Sequence, residues 1–245
     1  MFDAFAVQQR LVDRGQAISV DGDFGPKSYA ALLAWVAAKP APSTLMLSFG
    51  TACARYFPQN AITSALRIAH NIAQAAVETW SFSRTSENLN YSPAGLIATF
   101  GLQRISSADA QRLGRQPGEQ VVPPDRQAAI ANLVYGGAFG RLNLGNTAPA
   151  DGWTYRGRGW KQLTGRANYA RIARITQLPV VAQPDLLLDP DTGVRAGCLF
   201  WTANGCNAFA DADDISGLTR KVNGGLNGLA EREAALARAK LVLVP

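Results

Sequence analysis

Histidine is almost missing from this chain of 245 residues: His70 is the only one. A His-x-x-x-His metal site or a His-rich zinc hydrolase centre cannot be built from one imidazole. On a helix, the same-side neighbours of His70 would be Leu66, Ala73 and Val77, all apolar, which reads as a packed structural histidine. The nucleophilic alternative is a Cys/His dyad. Cysteine is scarce and odd in number: Cys53, Cys198 and Cys206 show no Cys-x-x-Cys spacing, which argues against a disulfide framework and a zinc ribbon. Reduced, buried thiols are expected instead. No apolar run approaches the roughly 18 residues of a membrane span. The opening MFDAFAVQQR lacks a basic region followed by an apolar segment of signal-peptide length. The expectation is a protein made in the cytoplasm that does not span a membrane. No cofactor or metal is expected. The DGDFG turn at residues 21–25 invites comparison with a calcium loop, but Gly25 stands where an oxygen ligand is needed and Leu32 where a glutamate is needed.

Glutamate is rare as well, with five in all: Glu78, Glu87, Glu119, Glu231 and Glu233. Hydrophobic residues make up 47% of the chain, enough for a substantial core, and the formal charge of +6 favours anionic partners over a short screened range.

The N-terminal FAVQQRLVDRG reads as a short amphipathic helix stopped at Gly15, and Pro26 suits the first position of a second helix faced by Tyr29, Leu32, Leu33 and Val36. AAKPAPSTL then reads as a linker. The expected organisation is a small domain at 1–40, a linker at 41–46 and a larger domain at 47–245. From residue 46 onward the signals are mostly helical. Ile62, Leu66, Ala69, Ala73, Ala76 and Trp80 step by four, three, four, three, four, one face of a helix of about twenty residues. Helix starts are also expected at Ser92-Pro93 and within PPDRQAAIANLVYGG, and further helices over 190–203 and 228–243. The Gly-, Asn- and aromatic-rich stretch 136–165 reads as a long functional loop.

On the long helix, Arg67, Asn71, Gln74 and Glu78 form a polar stripe opposite the apolar one, with Glu78 near the C-terminal end. There the helix dipole, and burial against Trp80 or Phe82, would favour a protonated carboxyl able to act as a general acid. Glu87, nine positions on, lies among the hydroxyls and amides of SRTSENLNYS, which could keep it ionised as a base. One acidic and one basic carboxyl suit glycoside hydrolysis, with Trp80, Phe82 and Tyr91 offering faces for sugars. Two incidental surface charges remain the plain alternative.

DGWTYRGRGWKQLTGRANY at residues 151–169 gathers Trp153, Tyr155, Trp160, Arg156 and Arg158 with Gln162, Thr164 and Asn168. It is too short in RG units for an RNA-binding tract and lacks the Lys-Ser/Thr pair of a phosphate loop, whereas stacking rings and planar amides suit a carbohydrate groove. In KVNGGLNGLAEREA, Asn223 ends one helix and Arg232 lies one turn into the next.

These segments in this order resemble glycoside hydrolase family 19, in its bacterial and phage endolysin branch. The matching elements are AQAAVETWSF, SENLNYS, YRGRGWKQLTGRANY and VNGGLNGLAER, over roughly residues 60 to 240. The N-terminal VQQRLVDRG and VDGDFGPKSYAALLAW are similar to a small three-helix peptidoglycan-binding domain. The resemblance implies a mainly α, lysozyme-like α+β catalytic domain with very little strand, preceded by that binding domain. It implies an inverting two-carboxylate muramidase acting on peptidoglycan, with Glu78 as general acid and Glu87 as the base that activates water. Thr164 would help hold that water, and Arg232 would lie near Glu87. Gln162, Asn168, Asn223, Tyr91 and Tyr155 would bind substrate, and Asp21, Asp23 and Phe24 would contact the wall. The two carboxyls would lie roughly 6.5–9.5 Å apart. A monomer is implied, with no nucleic-acid partner and a weak attraction to anionic envelopes, acting on the wall in the periplasm after release. Chitin as substrate, a non-catalytic wall-binding protein and a Cys/His70 peptidase are the other readings. The chain departs from the family at Val77, where a histidine is usual, and at Trp80-Ser81, where glycines are usual.

Overall fold

The computed structural model describes residues 3–244. Residues 1, 2 and 245, at the outer edges of the two expected domains, lie outside the described residues. The fold is mainly α. Its helices are α1 (Ala4–Val12), α2 (Pro26–Val36), α3 (Thr44–Gln59), α4 (Ala65–Glu78), α5 (Pro93–Phe100), α6 (Ser107–Leu113) and α7 (Pro124–Val134). After these come the short turns α8 (Gly137–Phe139) and α9 (Asp151–Thr154), then α10 (Arg166–Thr176), α11 (Pro190–Ala203), α12 (Cys206–Asp211), α13 (Ile215–Asn223) and α14 (Leu229–Leu243). Among the described residues, β pairing is confined to two isolated bridges, Ser86 with Arg158 and Arg158 with Leu163.

Local chemistry sets many helix starts. The Ser64 hydroxyl accepts the Arg67 N–H at 3.2 Å and the Ser92 hydroxyl accepts the Gly95 N–H at 3.1 Å, each satisfying a donor that the first turn leaves free. Prolines open α2, α5, α7 and α11, where a missing N–H costs nothing.

The chain divides into two compact units, one of residues 3–85, 159–162 and 186–244, the other of residues 86–158 and 163–185. In the first, α2 and α11 pack on α3, and α4 packs on α14. Leu11, Leu32, Leu33, Phe49, Phe57, Ile68, Trp160 and Trp201 fill one core. The second unit has its own core around Leu96, Phe100, Ile105, Leu113 and Ile130. In that unit the expected loop 136–165 is partly coiled into α8, a π turn at Gly140–Leu144 and α9. The Asp151 carboxylate accepts the Thr147 and Ala148 N–H groups at 2.8 and 2.9 Å, closing the chain ahead of α9.

The boundary expected at 41–46 is not a boundary between compact units. Residues 3–40 hold two helices, and the third begins at Thr44, capped by Ser43. The α2 and α3 backbones approach so closely that a Cβ at Gly50 would sit 2.5 Å from the Pro26 carbonyl oxygen. The Trp35 indole donates to the Arg238 carbonyl at 2.8 Å, and Arg10 donates to the Val242 carbonyl at 2.7 Å. The Pro-x-Pro segment is a tight inter-helix connection, and the N-terminal helices share the core of their unit.

His70 is fully buried, with Nε2 2.7 Å from the Asp213 carboxylate, which also pairs with Lys240. Burial lowers its pKa, partly opposed by Asp213. Nδ1 has no hydrogen-bond partner among the described residues, so the Cys/His dyad is not formed. Cys53, Cys198 and Cys206 are free and buried.

Candidate active site

Glu78 closes α4 as its last residue, and the polar stripe below it is not a solvated face. Asn71 and Gln74 are fully buried. The Trp160 indole donates to Asn71 Oδ1 at 3.0 Å, while Gln74 donates to the Thr219 hydroxyl at 3.1 Å. Gln74 Oε1 accepts from Arg232 Nη1 at 2.6 Å, and Arg232 Nη2 reaches Glu78 Oε1 at 2.6 Å. Arg232 is 2% exposed and the Glu78 side chain 15%, so this ion pair is largely shielded from water. Arg232 was expected beside the second carboxylate; it is paired with the first. The physical reason is the packing of α14 on α4, which brings the first turn of one helix to the last turn of the other. Oε1 of Glu78 is taken by the guanidinium, and Oε2 lies outside that ion pair.

Lys161 is a member of this site that sequence reasoning missed. Its ammonium nitrogen is buried without a hydrogen-bond partner among the described residues, 5.0 Å over the Trp201 ring, and burial pushes its pKa down to about 8 against the upward pull of Cys206 and Glu78. Its position next to Gln162 in the WKQLTG run was the available signal.

The segment after Glu78 shows what the departure at Trp80-Ser81 costs. α4 ends in a Schellman arrangement: the Ser81 N–H returns to the Ala76 carbonyl at 2.7 Å and the Trp80 N–H to the Val77 carbonyl at 3.4 Å. Such an ending needs a left-handed residue. Trp80, Ser81 and Phe82 have φ of 49°, 55° and 59°, three consecutive left-handed residues, none of them glycine. The strain is about 1–2 kcal/mol per residue, more in sum than the roughly 1.5–3 kcal/mol that burying one aromatic ring returns. Phe82 is that ring, fully buried and stacked on Trp160 with centroids 5.7 Å apart. The Thr79 hydroxyl adds a brace by accepting the Phe82 N–H at 3.1 Å. Trp80 therefore leaves the apolar stripe on which periodicity placed it and is 46% exposed, while Phe82 offers no face to a ligand.

Glu87 belongs to the second unit. Its N–H donates to the Gly157 carbonyl at 2.9 Å, and its Oε2 accepts from the Tyr135 hydroxyl at 2.9 Å. Oε1 is buried with no hydrogen-bond partner among the described residues. Burial raises the pKa of Glu87, opposed by the Tyr135 hydrogen bond and by Arg156 and Arg158. The neighbouring hydroxyls and amides expected to keep it ionised serve the loop backbone instead: Asn88 Oδ1 accepts the Asn90 N–H at 2.6 Å, and Asn90 Oδ1 the Val122 N–H at 3.0 Å. Tyr135, at the end of α7, had no local signal.

The remaining expected residues fall into different settings. Asn168 is exposed at the start of α10, its amide donating to the Thr164 carbonyl at 2.7 Å, with Thr164 itself half-buried. Gln162 adopts φ 44° and donates to the Gly159 carbonyl at 3.1 Å. Asn223 is exposed at the end of α13, where left-handed Gly224 stops the helix. Tyr91 is half-buried, edge-on to Phe100. Tyr155 is corrected to a core residue: it is 6% exposed, packs beside Tyr169 and donates to the Val181 carbonyl at 3.2 Å. Trp160 is fully buried, and Trp153 is half-buried with the Arg156 guanidinium 3.8 Å over its ring. In the N-terminal turn, Asp21 Oδ1 accepts from Gln8 at 2.8 Å and from the Asp23 N–H at 3.0 Å, while Phe24 packs edge-on to Tyr29. The Asp21 carboxylate is thus engaged in closing the turn.

No family model matches the chain. A protein of Haemophilus influenzae described as glycosyl hydrolase family 19 domain-containing is 34% identical over 171 residues, spanning 70% of this chain and 76% of that one. Chitinase C from Streptomyces griseus HUT6037 has a similar structure, with TM-score 0.55 at 16% identity, covering 91% of this chain and 95% of that one. A mutant of chitinase C gives 0.54 at 15% identity. At those identities the structural likeness is one of fold, a mainly helical lysozyme-like arrangement with almost no strand. The sequence match is closer and spans most of both proteins, and with it the chain belongs to glycosyl hydrolase family 19, as a glycoside hydrolase.

Proposed function

We propose that this glycosidase is an endolysin-type muramidase that hydrolyses β-1,4 bonds of bacterial peptidoglycan with inversion of configuration. The observation that carries the reading is that both carboxyls implied by the family resemblance are seated in shielded sockets, each completed by a residue remote in sequence. Glu78 is held by Arg232, and Glu87 by Tyr135. Glu78, oriented through Oε1 by Arg232, takes up a proton from solvent on Oε2 before the reaction and delivers it to the leaving oxygen. Glu87 takes a proton from the attacking water. A raised pKa suits that second role, because an ionised carboxylate with a higher pKa is a stronger base near neutral pH. Peptidoglycan is favoured by the N-terminal helix pair with its Gln8-tied DGDFG turn, which resembles a wall-binding module, and by the net charge of +6. The protein reaches its substrate after release from the cytoplasm.

Chitin is the second reading, favoured by the likeness to chitinase C. Digestion of purified peptidoglycan and of chitin, with identification of the reducing-end sugar and its initial anomer, separates them. N-acetylmuramic acid at the new reducing end in the inverted α configuration is expected. N-acetylglucosamine there, or retention, overturns the proposal.

Tyr135→Phe tests the base. The phenol donates to the ionised form of Glu87 and holds its pKa down against burial, so its removal raises that pKa further. The acidic limb of the kcat/KM profile is expected to move to higher pH, with a loss of about tenfold or more below that limb, the size of one charged hydrogen bond. An unmoved limb would show that Glu87 does not titrate in catalysis.

A further inference from the structure

We propose that Trp80 and Arg84 form a subsite that binds an amino-sugar ring bearing a carboxylate. The inference rests on the peptidoglycan reading above and names the feature of that polymer which the site recognises. Nothing in the packing of the first unit requires an indole at position 80. The residue is 46% exposed. Its left-handed backbone is the conformation in which glycine is least strained, so a large aromatic there carries a cost without a return in the core.

The backbone is nevertheless fixed. The Trp80 N–H returns to the Val77 carbonyl, and the Trp80 carbonyl accepts the Ser83 hydroxyl at 2.6 Å. Ser83 and Arg84 both donate their N–H groups to the Thr79 carbonyl, at 2.9 and 3.2 Å. An exposed indole is thus presented on a rigid loop two residues after Glu78. A preorganised aromatic face loses little entropy on binding, and the apolar face of a pyranose is its natural complement.

Arg84 supplies the charge selectivity. Its guanidinium lies over one face of the Trp80 ring, 5.2 Å from the centroid, and its side chain is exposed. Among the described residues no carboxylate forms an ion pair with it. A pyranose stacked on the indole face that Arg84 leaves free, with a carboxylate arm reaching past the ring edge, would meet an unneutralised guanidinium fork, which suits a carboxylate acceptor. Muramyl residues carry such a group on the lactyl ether or its attached peptide; the sugars of chitin carry none.

The test compares wild type, Trp80→Gly, Trp80→Phe and Arg84→Gln on solubilised peptidoglycan strands and on neutral N-acetylglucosamine oligomers, with thermal unfolding of each. Trp80→Gly is expected to raise KM on peptidoglycan about tenfold, the equivalent of one good contact, while its melting temperature rises through relief of strain. Trp80→Phe is expected to recover most of the binding. Arg84→Gln is expected to raise KM on peptidoglycan and leave cleavage of the neutral oligomers unchanged. Unchanged KM in Trp80→Gly, or an equal effect of Arg84→Gln on both substrates, overturns the subsite while the peptidoglycan reading stands. A wild-type protein inert on peptidoglycan overturns both.

Discussion

Glu87→Gln is expected to lower turnover on peptidoglycan by about 10²–10⁴-fold, the usual contribution of a positioned acid or base, while raising the melting temperature at neutral pH. Glu87 is buried, one of its oxygens lacks a partner, and its pKa lies above the usual carboxylate range because burial outweighs Tyr135 and the two arginines. The folded state therefore holds the proton more tightly than the unfolded chain. For such a group the stabilisation is fully present below the unfolded pKa and is lost as pH rises through the folded pKa. The neutral amide escapes that loss, so its advantage over wild type is small near pH 4 and grows toward pH 8. Glu78→Gln is expected to lose turnover by a similar factor and to shift stability the other way, by about 1–3 kcal/mol, because it weakens a shielded charged hydrogen bond to Arg232. Two inactive variants with opposite shifts in melting temperature constitute the result; equal shifts at both pH values would sink this account of Glu87.

Arg232→Met is expected to destabilise the first unit by about 3–5 kcal/mol in denaturant unfolding, the range for removing one partner of a buried pair. The guanidinium is 2% exposed and serves Glu78 Oε1, Gln74 Oε1 and the Gln74 and Asn227 carbonyls, at 2.6, 2.6, 3.3 and 3.4 Å. Its loss leaves a shielded carboxylate and a fully buried amide without their donor. Lysine does not restore the geometry, because a single ammonium cannot bridge partners that the planar fork joins, so Arg232→Lys should recover little of the stability and little of the turnover. The double variant Glu78→Gln/Arg232→Met separates pairing from packing. If the residues act as a pair, the double change costs clearly less than the two single changes added together. Strict additivity would show that Arg232 stabilises α14 independently of Glu78.

Much of the framework was readable from local chemistry. Ser92-Pro93 opens α5, Pro26 opens α2, and Pro190–Ala203 and Leu229–Leu243 fall where periodicity and stop signals placed helices. These features depend on neighbours within one or two turns. The ordered segments around Glu78, Glu87, Gln162 and Asn223 were legible for a related reason: they are short ungapped runs, and the comparison with the Haemophilus influenzae protein supports the family that they suggested.

The partners of the two carboxylates were not legible, because partner choice depends on which helix faces which. Arg232 stands 154 residues from Glu78, and Tyr135 stands 48 residues from Glu87. A periodic pattern shows that Asn71 and Gln74 share a stripe; only the packing of α14 on α4 shows that the stripe is buried and carries the arginine. For the same reason a Pro-rich stretch read as a spacer proved to be a tight connection once α2 and α3 were seen in backbone contact at Gly50. The sequence alone determined where α2, α5, α11 and α14 begin and which family the chain resembles, since capping and short motifs act locally. The tertiary structure alone decided which charge each glutamate meets and that the tryptophan after Glu78 stands in a left-handed turn, since those follow from long-range packing and from strain that no propensity encodes.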